Sequence, residues 1–72
     1  MAKDEIINHV RRFRFENAEM TQQELAERAE CTRQTIIALE QRKYVPSLAL
    51  AFRIAYVFGA ALEEVFEYRK SG

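Results

Sequence analysis

Two helix-start signals stand close together in this chain, at Thr21 and Thr32, leaving room between them for about two turns of helix and a tight corner. At Thr21-Gln22-Gln23-Glu24 the threonine hydroxyl is placed to accept the Glu24 N–H. The Glu24 carboxylate can reach back to the Thr21 N–H, which completes a capping box. Met20 before the cap and Leu25 after it have the spacing of a hydrophobic staple. Leu25, Ala26 and Ala29 give a face of mostly small residues that lets another helix approach closely, and this helix is expected to end near Ala29. Thr32 is the next cap, with Thr35 where a reciprocal box would have its acid. The helix from Arg33 to about Gln41 turns Ile36 and Leu39 inward. Two helices joined this tightly form a helix-turn-helix unit. Its corner, Ala29-Glu30-Cys31, contains no Gly, Pro, Asn or Asp.

Three more helices are expected around this unit. Ile6, Val10 and Phe13 recur at i, i+4 and i+7, which predicts a first helix over residues 4–16, capped by Asp4 and flanked by Ile7 and Phe15. Pro46 biases Val45 away from helical dihedrals, so RKYVPS reads as a loop. Ser47 caps a fourth helix, LALAFRIAYVF, and Gly59 sits where a C-terminal glycine belongs. Leu50, Ala51, Ile54 and Phe58 form its main face. Phe52, Ala55 and Tyr56 widen that face until the helix is apolar nearly all round, as the central helix of a domain would be. A last helix covers residues 61–66, with Leu62, Val65 and Phe66 inward. The expected fold is all-α, one compact five-helix domain over residues 4–67 with a C-terminal tail at 68–72.

The chemistry available is narrow. Lys plus Arg and Asp plus Glu each number 11 among 72 residues, so net charge does not advertise nucleic acid, although a local basic face remains possible. The single cysteine excludes an internal disulfide. Cys31 is expected to pack as a small hydrophobe, and His9, the only histidine, has no companions for a metal site. Tyr44 and Tyr56 are expected to pack. With no nucleophile–base pairing and no Gly-rich phosphate loop, an enzyme is not expected, nor is a cofactor or metal. MAKDEIINHV lacks the apolar core of a signal peptide and no run is long enough to span a bilayer, so the cytoplasm is the expected location.

The outer face of the helix after Thr32 points to duplex DNA. Arg33 can make a two-pronged contact to guanine and Gln34 to adenine, while Thr32 and Ala38 are small enough to meet a thymine methyl. Ile37 either touches a thymine methyl or packs on the following loop. Gln22, at the start of the preceding helix, is placed to hold a phosphate. Lys43, with Gln41 and Arg42, is placed to grip the backbone. For Arg42 a solvated loop position is the alternative.

TQQELAERA, TRQTIIALEQ, KYVPSLALAFRIA and FG…LEEVF together resemble the Xre/Cro type of bacterial and phage helix-turn-helix regulators, in their short single-domain form. The likeness covers nearly everything from Met20 to Phe66. It implies a lambda-repressor-like fold, with Gln22 on phosphate, Thr32, Arg33, Gln34 and Ala38 at base-reading positions, and Lys43 at a backbone-contacting one. It also implies a homodimer that represses transcription on an inverted-repeat operator. The family pairs the acid matching Glu40 with an arginine of the first helix, for which Arg14 is the first choice and Arg11 the second. It has Gly where this chain carries Glu30 and Arg42, and the first of these sites tends to need a positive φ.

Leu62, Val65, Phe66 and Tyr68 are the expected dimer residues. Two other readings stand beside the repressor. One is an antitoxin-like regulator with an unidentified protein partner. The other is an interaction domain without DNA binding, to which the acidic run Glu19, Glu24, Glu27 and Glu30 would lend itself.

Overall fold

Residues 3–71 are described by the computed structural model. In chain order they form β1 (Lys3–Asn8), α1 (Val10–Glu16), α2 (Gln22–Arg28), α3 (Arg33–Glu40), α4 (Leu48–Phe58), α5 (Leu62–Val65) and β2 (Phe66–Ser71). The five helices are present. The all-α expectation is nevertheless corrected, because β1 and β2 pair into an antiparallel two-stranded sheet.

The first helix begins at Val10 rather than at residue 4, and Asp4 caps nothing. Its carboxylate instead accepts the Tyr68 hydroxyl at 2.9 Å. The residues expected to be a tail form β2, in register from Asp4 opposite Lys70 to Asn8 opposite Phe66. Gly72, the end of that expected tail, lies outside the described residues. The physical reason is alternation. Ile7 is buried while Ile6 on the opposite face is half-buried, the period of a strand, and β-branched side chains suit a pleated surface. Val10, which gave the helical spacing its second member, is the first residue of α1 and lies wholly in the core.

The remaining helix starts follow local chemistry. Thr21 and Glu24 form the reciprocal box, Thr32 accepts from the Thr35 N–H, and Ser47 accepts from the Leu50 N–H. The helix ends share one device. A left-handed residue follows the C-cap in α2 and α3 and is the C-cap itself in α4: Glu30 at φ 60°, Arg42 at φ 60° and Gly59 at φ 65°. The next amide then bonds back into the last turn, Cys31 to the Ala26 carbonyl, Lys43 to Ala38 and Ala60 to Ala55, at 2.9, 2.9 and 3.0 Å. These are Schellman ends, which satisfy carbonyls the helix leaves orphaned. The corner of the helix-turn-helix is therefore turned by Glu30 standing in for glycine.

Leu25, Ile36, Leu39, Ile54, Val10 and Val65 are the largest wholly buried side chains. Phe13 of α1 stacks on Phe58 of α4 with ring centroids 5.4 Å apart. Arg53 reaches from α4 to donate to the Ala29 carbonyl at 2.8 Å, bracing the corner. Helix α4 is not apolar on all sides of a core. Leu50, Ala51, Ile54, Ala55 and Phe58 are buried, but Leu48, Phe52 and Tyr56 lie on the surface. Tyr44 is also exposed, so neither tyrosine expected to pack does so.

A non-glycine residue in the left-handed region costs roughly 1–2 kcal/mol, and glycine gives back part of that through unfolded-chain entropy. Glu30→Gly is accordingly expected to stabilise the domain by about 0.5–1 kcal/mol, raising Tm by roughly 2–8 °C. Thermal unfolding checks this, and an equal or lower Tm would show that the corner is unstrained.

Candidate nucleic-acid interface

The reader helix is set from below and braced from the side. Ile36 and Leu39 are wholly buried, which turns Arg33 and Gln34 outward at the N-terminal end of α3, where both are exposed. Thr32, the N-cap, is exposed beside them. Ile37 and Ala38 are half-buried and face different ways. Ile37 lines a cleft with Asn8, Arg12, Gln22 and Gln41, toward α1. Ala38 lines a second cleft with Gln34, Lys43 and Tyr44. Arg33 and Gln22 meet across a third, open cleft of about 550 Å³ that also holds Arg11 and Phe15.

A buried ion pair holds α1, α2 and α3 in this arrangement. Arg14 Nε donates to Glu40 Oε2 at 2.7 Å and its Nη2 to Oε1 at 3.0 Å, a two-pronged contact between side chains that are each 10% exposed. The remaining amino group of Arg14 donates to the Met20 carbonyl at 2.8 Å, closing the loop before α2. Gln22 Nε2 donates to Glu40 Oε1 at 3.1 Å. A carboxylate only accepts, so this bond fixes which end of the Gln22 amide faces inward. Its carbonyl oxygen and second N–H take no partner among the described residues.

Two residues outside the sequence expectations, Asn8 and Arg53, support the same surface. Asn8 donates to the Leu39 carbonyl at 2.8 Å, tying the end of β1 to the last turn of α3. Its Oδ1 accepts the Val10 N–H at 3.3 Å, the service expected of Asp4. Arg53 braces the corner, as above. Arg11, second choice for Glu40, takes no ion pair among the described residues. It lies over the Phe15 ring at 5.5 Å and lines the clefts containing Gln22 and Arg33. An exposed cation beside a candidate phosphate ligand has no simple signal in the sequence, because only the turn of α1 decides which arginine goes in and which stays out.

Lys43, Arg42 and Gln41 follow α3 and are all exposed. Cys31 is partly buried against the core, and that burial pushes its thiol pKa up, outweighing the lowering effect of Arg53. The thiol therefore stays protonated near neutrality, as a packing residue would. Of the four expected dimer residues, Val65 is wholly buried within the protomer and has no surface to offer. Phe66 packs partly on the core, Leu62 is half-buried, and Tyr68 is exposed.

A helix-turn-helix family model matches residues 12–65. The chain belongs to the Xre/Cro-type helix-turn-helix family of DNA-binding transcriptional regulators. It is 53% identical over 49 residues to an uncharacterised HTH-type transcriptional regulator of Methanocaldococcus jannaschii, a match spanning 68% of this chain and 74% of that one. A counterpart from Methanothermobacter thermautotrophicus is 54% identical over 54 residues, 74% of this chain and 78% of that one. The Bacillus subtilis regulator YgzD, also uncharacterised, is 46% identical over 46 residues, 64% of this chain and 70% of its own. Residues 12–65, matched by the family model, include α3, Gln22 and the Arg14–Glu40 pair.

Breaking a buried pair leaves one charge without a partner, which costs about 3–5 kcal/mol, whereas replacing both by apolar groups is often neutral. Glu40→Ala is expected to show that loss in urea unfolding, and Arg14→Met combined with Glu40→Leu to recover most of it. A loss under about 1 kcal/mol for the single variant, the range of an exposed pair, would contradict the buried role.

Proposed function

We propose that this regulator represses transcription by binding an inverted-repeat operator in double-stranded DNA as a two-fold homodimer, in the cytoplasm. One observation carries the reading: a capped helix, anchored by Ile36 and Leu39, presents Arg33 and Gln34 at its exposed N-terminal end beside the braced Gln22. That end of a reader helix is the part that meets base edges in the major groove. Arg33 reads guanine, Gln34 reads adenine, and Thr32, Ala38 and Ile37 set contact with thymine methyls. Gln22 takes a phosphate at the start of α2. Lys43, with Gln41 and Arg42, takes another after α3, and Arg11 adds a cation on the α1 side of the cleft. No helix among the described residues is long and apolar enough to cross a membrane.

The zero net charge is compatible with this reading, since the cations at Arg11, Arg33, Arg42 and Lys43 are exposed, while Glu40 is neutralised by Arg14. Selection from randomised duplexes is expected to return a two-fold symmetric site. Arg33→Ala should relax preference at one base pair per half-site and weaken the preferred site by about 1–3 kcal/mol. Lys43→Ala or Arg11→Ala should weaken all sequences alike and reduce the salt slope by about 1 per site lost. An unchanged preference in the Arg33 variant removes its base-reading role, and binding insensitive to salt removes the DNA reading altogether.

A further inference from the structure

The arginines of α1 are held in three different ways. Arg14 enters the buried pair with Glu40. Arg12 lies over the half-buried Phe13 ring at 5.1 Å and 3.9 Å from the Glu16 carboxylate, one turn further on. Arg11 has no carboxylate partner among the described residues, and its guanidinium lies 5.5 Å from the centroid of the Phe15 ring. Arg11 and Phe15 are spaced i, i+4, so they share one face of α1. Phe15 is 51% exposed, and the same ring lies 5.6 Å from the guanidinium of Arg14. It is thus in contact with two cations, one locked into the frame and one open to solvent.

We propose that Phe15 is a positioning residue for DNA-backbone binding, its ring holding the Arg11 guanidinium ready for a phosphate at the lip of the cleft shared with Gln22 and Arg33. The proposal rests on the DNA-binding reading above and deepens it, by giving an exposed cation a fixed place. The chemistry of the partner supports it. A ring attracts a guanidinium through its quadrupole and takes up none of its charge. The N–H donors, which lie in the guanidinium plane, stay free for a planar anion. A carboxylate partner would fix the same side chain but occupy those donors and cancel the charge, as Glu16 does beside Arg12.

Position supports it as well. Arg11, Phe15, Gln22 and Arg33 line one open cleft, and Arg11 also lines the neighbouring cleft with Gln22, Ile37 and Gln41. Arg11 therefore stands where the two clefts adjoin, beside a glutamine that Glu40 fixes at 3.1 Å. Both are referred to the same buried pair, Gln22 by a hydrogen bond to Glu40 and Arg11 through a ring that also meets Arg14. An arginine free in solvent loses rotamer freedom when it takes a phosphate, and one already held on a ring loses less. Phe15 thereby raises affinity without touching DNA. Its contribution is the same on every sequence, because phosphates carry no base identity.

A double-mutant cycle tests this, read by fluorescence anisotropy over a salt series on a mixed-sequence duplex and on the duplex that randomised selection returns. Phe15→Ala and Phe15→Leu should each weaken both duplexes alike, by about two- to fivefold, the factor of an exposed cation–π contact. Phe15→Leu keeps the apolar bulk and carries the same test should the alanine variant lose its fold. Phe15→Tyr, which keeps the ring face, should restore wild-type binding. The salt slope should be unchanged in the Phe15 variants, because the Arg11 charge still reaches a phosphate, whereas Arg11→Ala lowers it by about 1. In the Arg11→Ala background, Phe15→Ala should have no further effect. A loss that persists without Arg11, or a Phe15→Leu chain that binds as the wild type does, overturns the proposal and leaves the ring as packing over the Arg14–Glu40 pair. A wild type that binds DNA and is indifferent to Arg11→Ala overturns it too, with the operator reading left standing. A wild type that binds neither duplex removes both.

Discussion

The contact between Arg14 and Glu40 is where α1, the loop before α2, α2 itself and α3 are tied together. One guanidinium meets both carboxylate oxygens and the Met20 carbonyl, and the same carboxylate takes the Gln22 amide. Ionised groups this deep are costly to desolvate, and only complete pairing offsets the cost. Here the pairing is complete: among the described residues no buried side-chain nitrogen or oxygen lacks a partner. A shift of α1 or α3 would leave part of the set unpaired. The ion pair thus acts less as a source of stability than as a gauge, holding α3 and Gln22 at one relative height.

The three Schellman ends complete the frame. Each sends the chain sharply out of a helix, and two of the three do so through residues with a side chain, Glu30 and Arg42. The corner at Glu30 is held by contacts that do not depend on glycine: the Cys31 amide on Ala26, and Arg53 on the carbonyl of Ala29. Strain concentrated in one dihedral can persist where such contacts over-determine the geometry. At Arg42 the same conformation leaves an exposed arginine immediately after the reader, where a glycine would offer no charge.

What could be read from the sequence was local. The Thr21–Glu24 box, the Thr32 and Ser47 caps and the Gly59 terminus each need only residues within a turn of one another, and all four stand in the structure. The β1–β2 ribbon was not legible, because its partners lie at opposite ends of the chain and six residues of strand look much like two turns of helix. Asn8 was missed for a related reason, since its service to Leu39 exists only after α3 has folded against β1. The Arg14–Glu40 geometry came from family likeness, and periodicity alone left Arg11 as a competitor. On α4, an apolar residue that fills a core and one that faces solvent leave the same mark in a sequence. Phe52 and Tyr56 therefore read as core until their exposure was known.

A protein with no net charge must bind DNA through placement instead of bulk attraction. Each protomer has only a handful of exposed cations near the reader, and every phosphate contact is weakened by salt. On the proposed reading, a single half-site held by one Arg, one Gln and two or three phosphate ligands gives modest affinity at physiological ionic strength. Joining two such surfaces rigidly makes the second half-site contact intramolecular, which raises affinity without any new kind of contact, provided the spacing is correct. On the proposed homodimer reading, that condition gives a reason for the over-specified geometry at Glu40, Met20 and Ala29. In a two-fold dimer of that kind, a reader free to rock by an ångström or two would lose the second half-site, and with it most of the discrimination between the proposed operator and ordinary DNA.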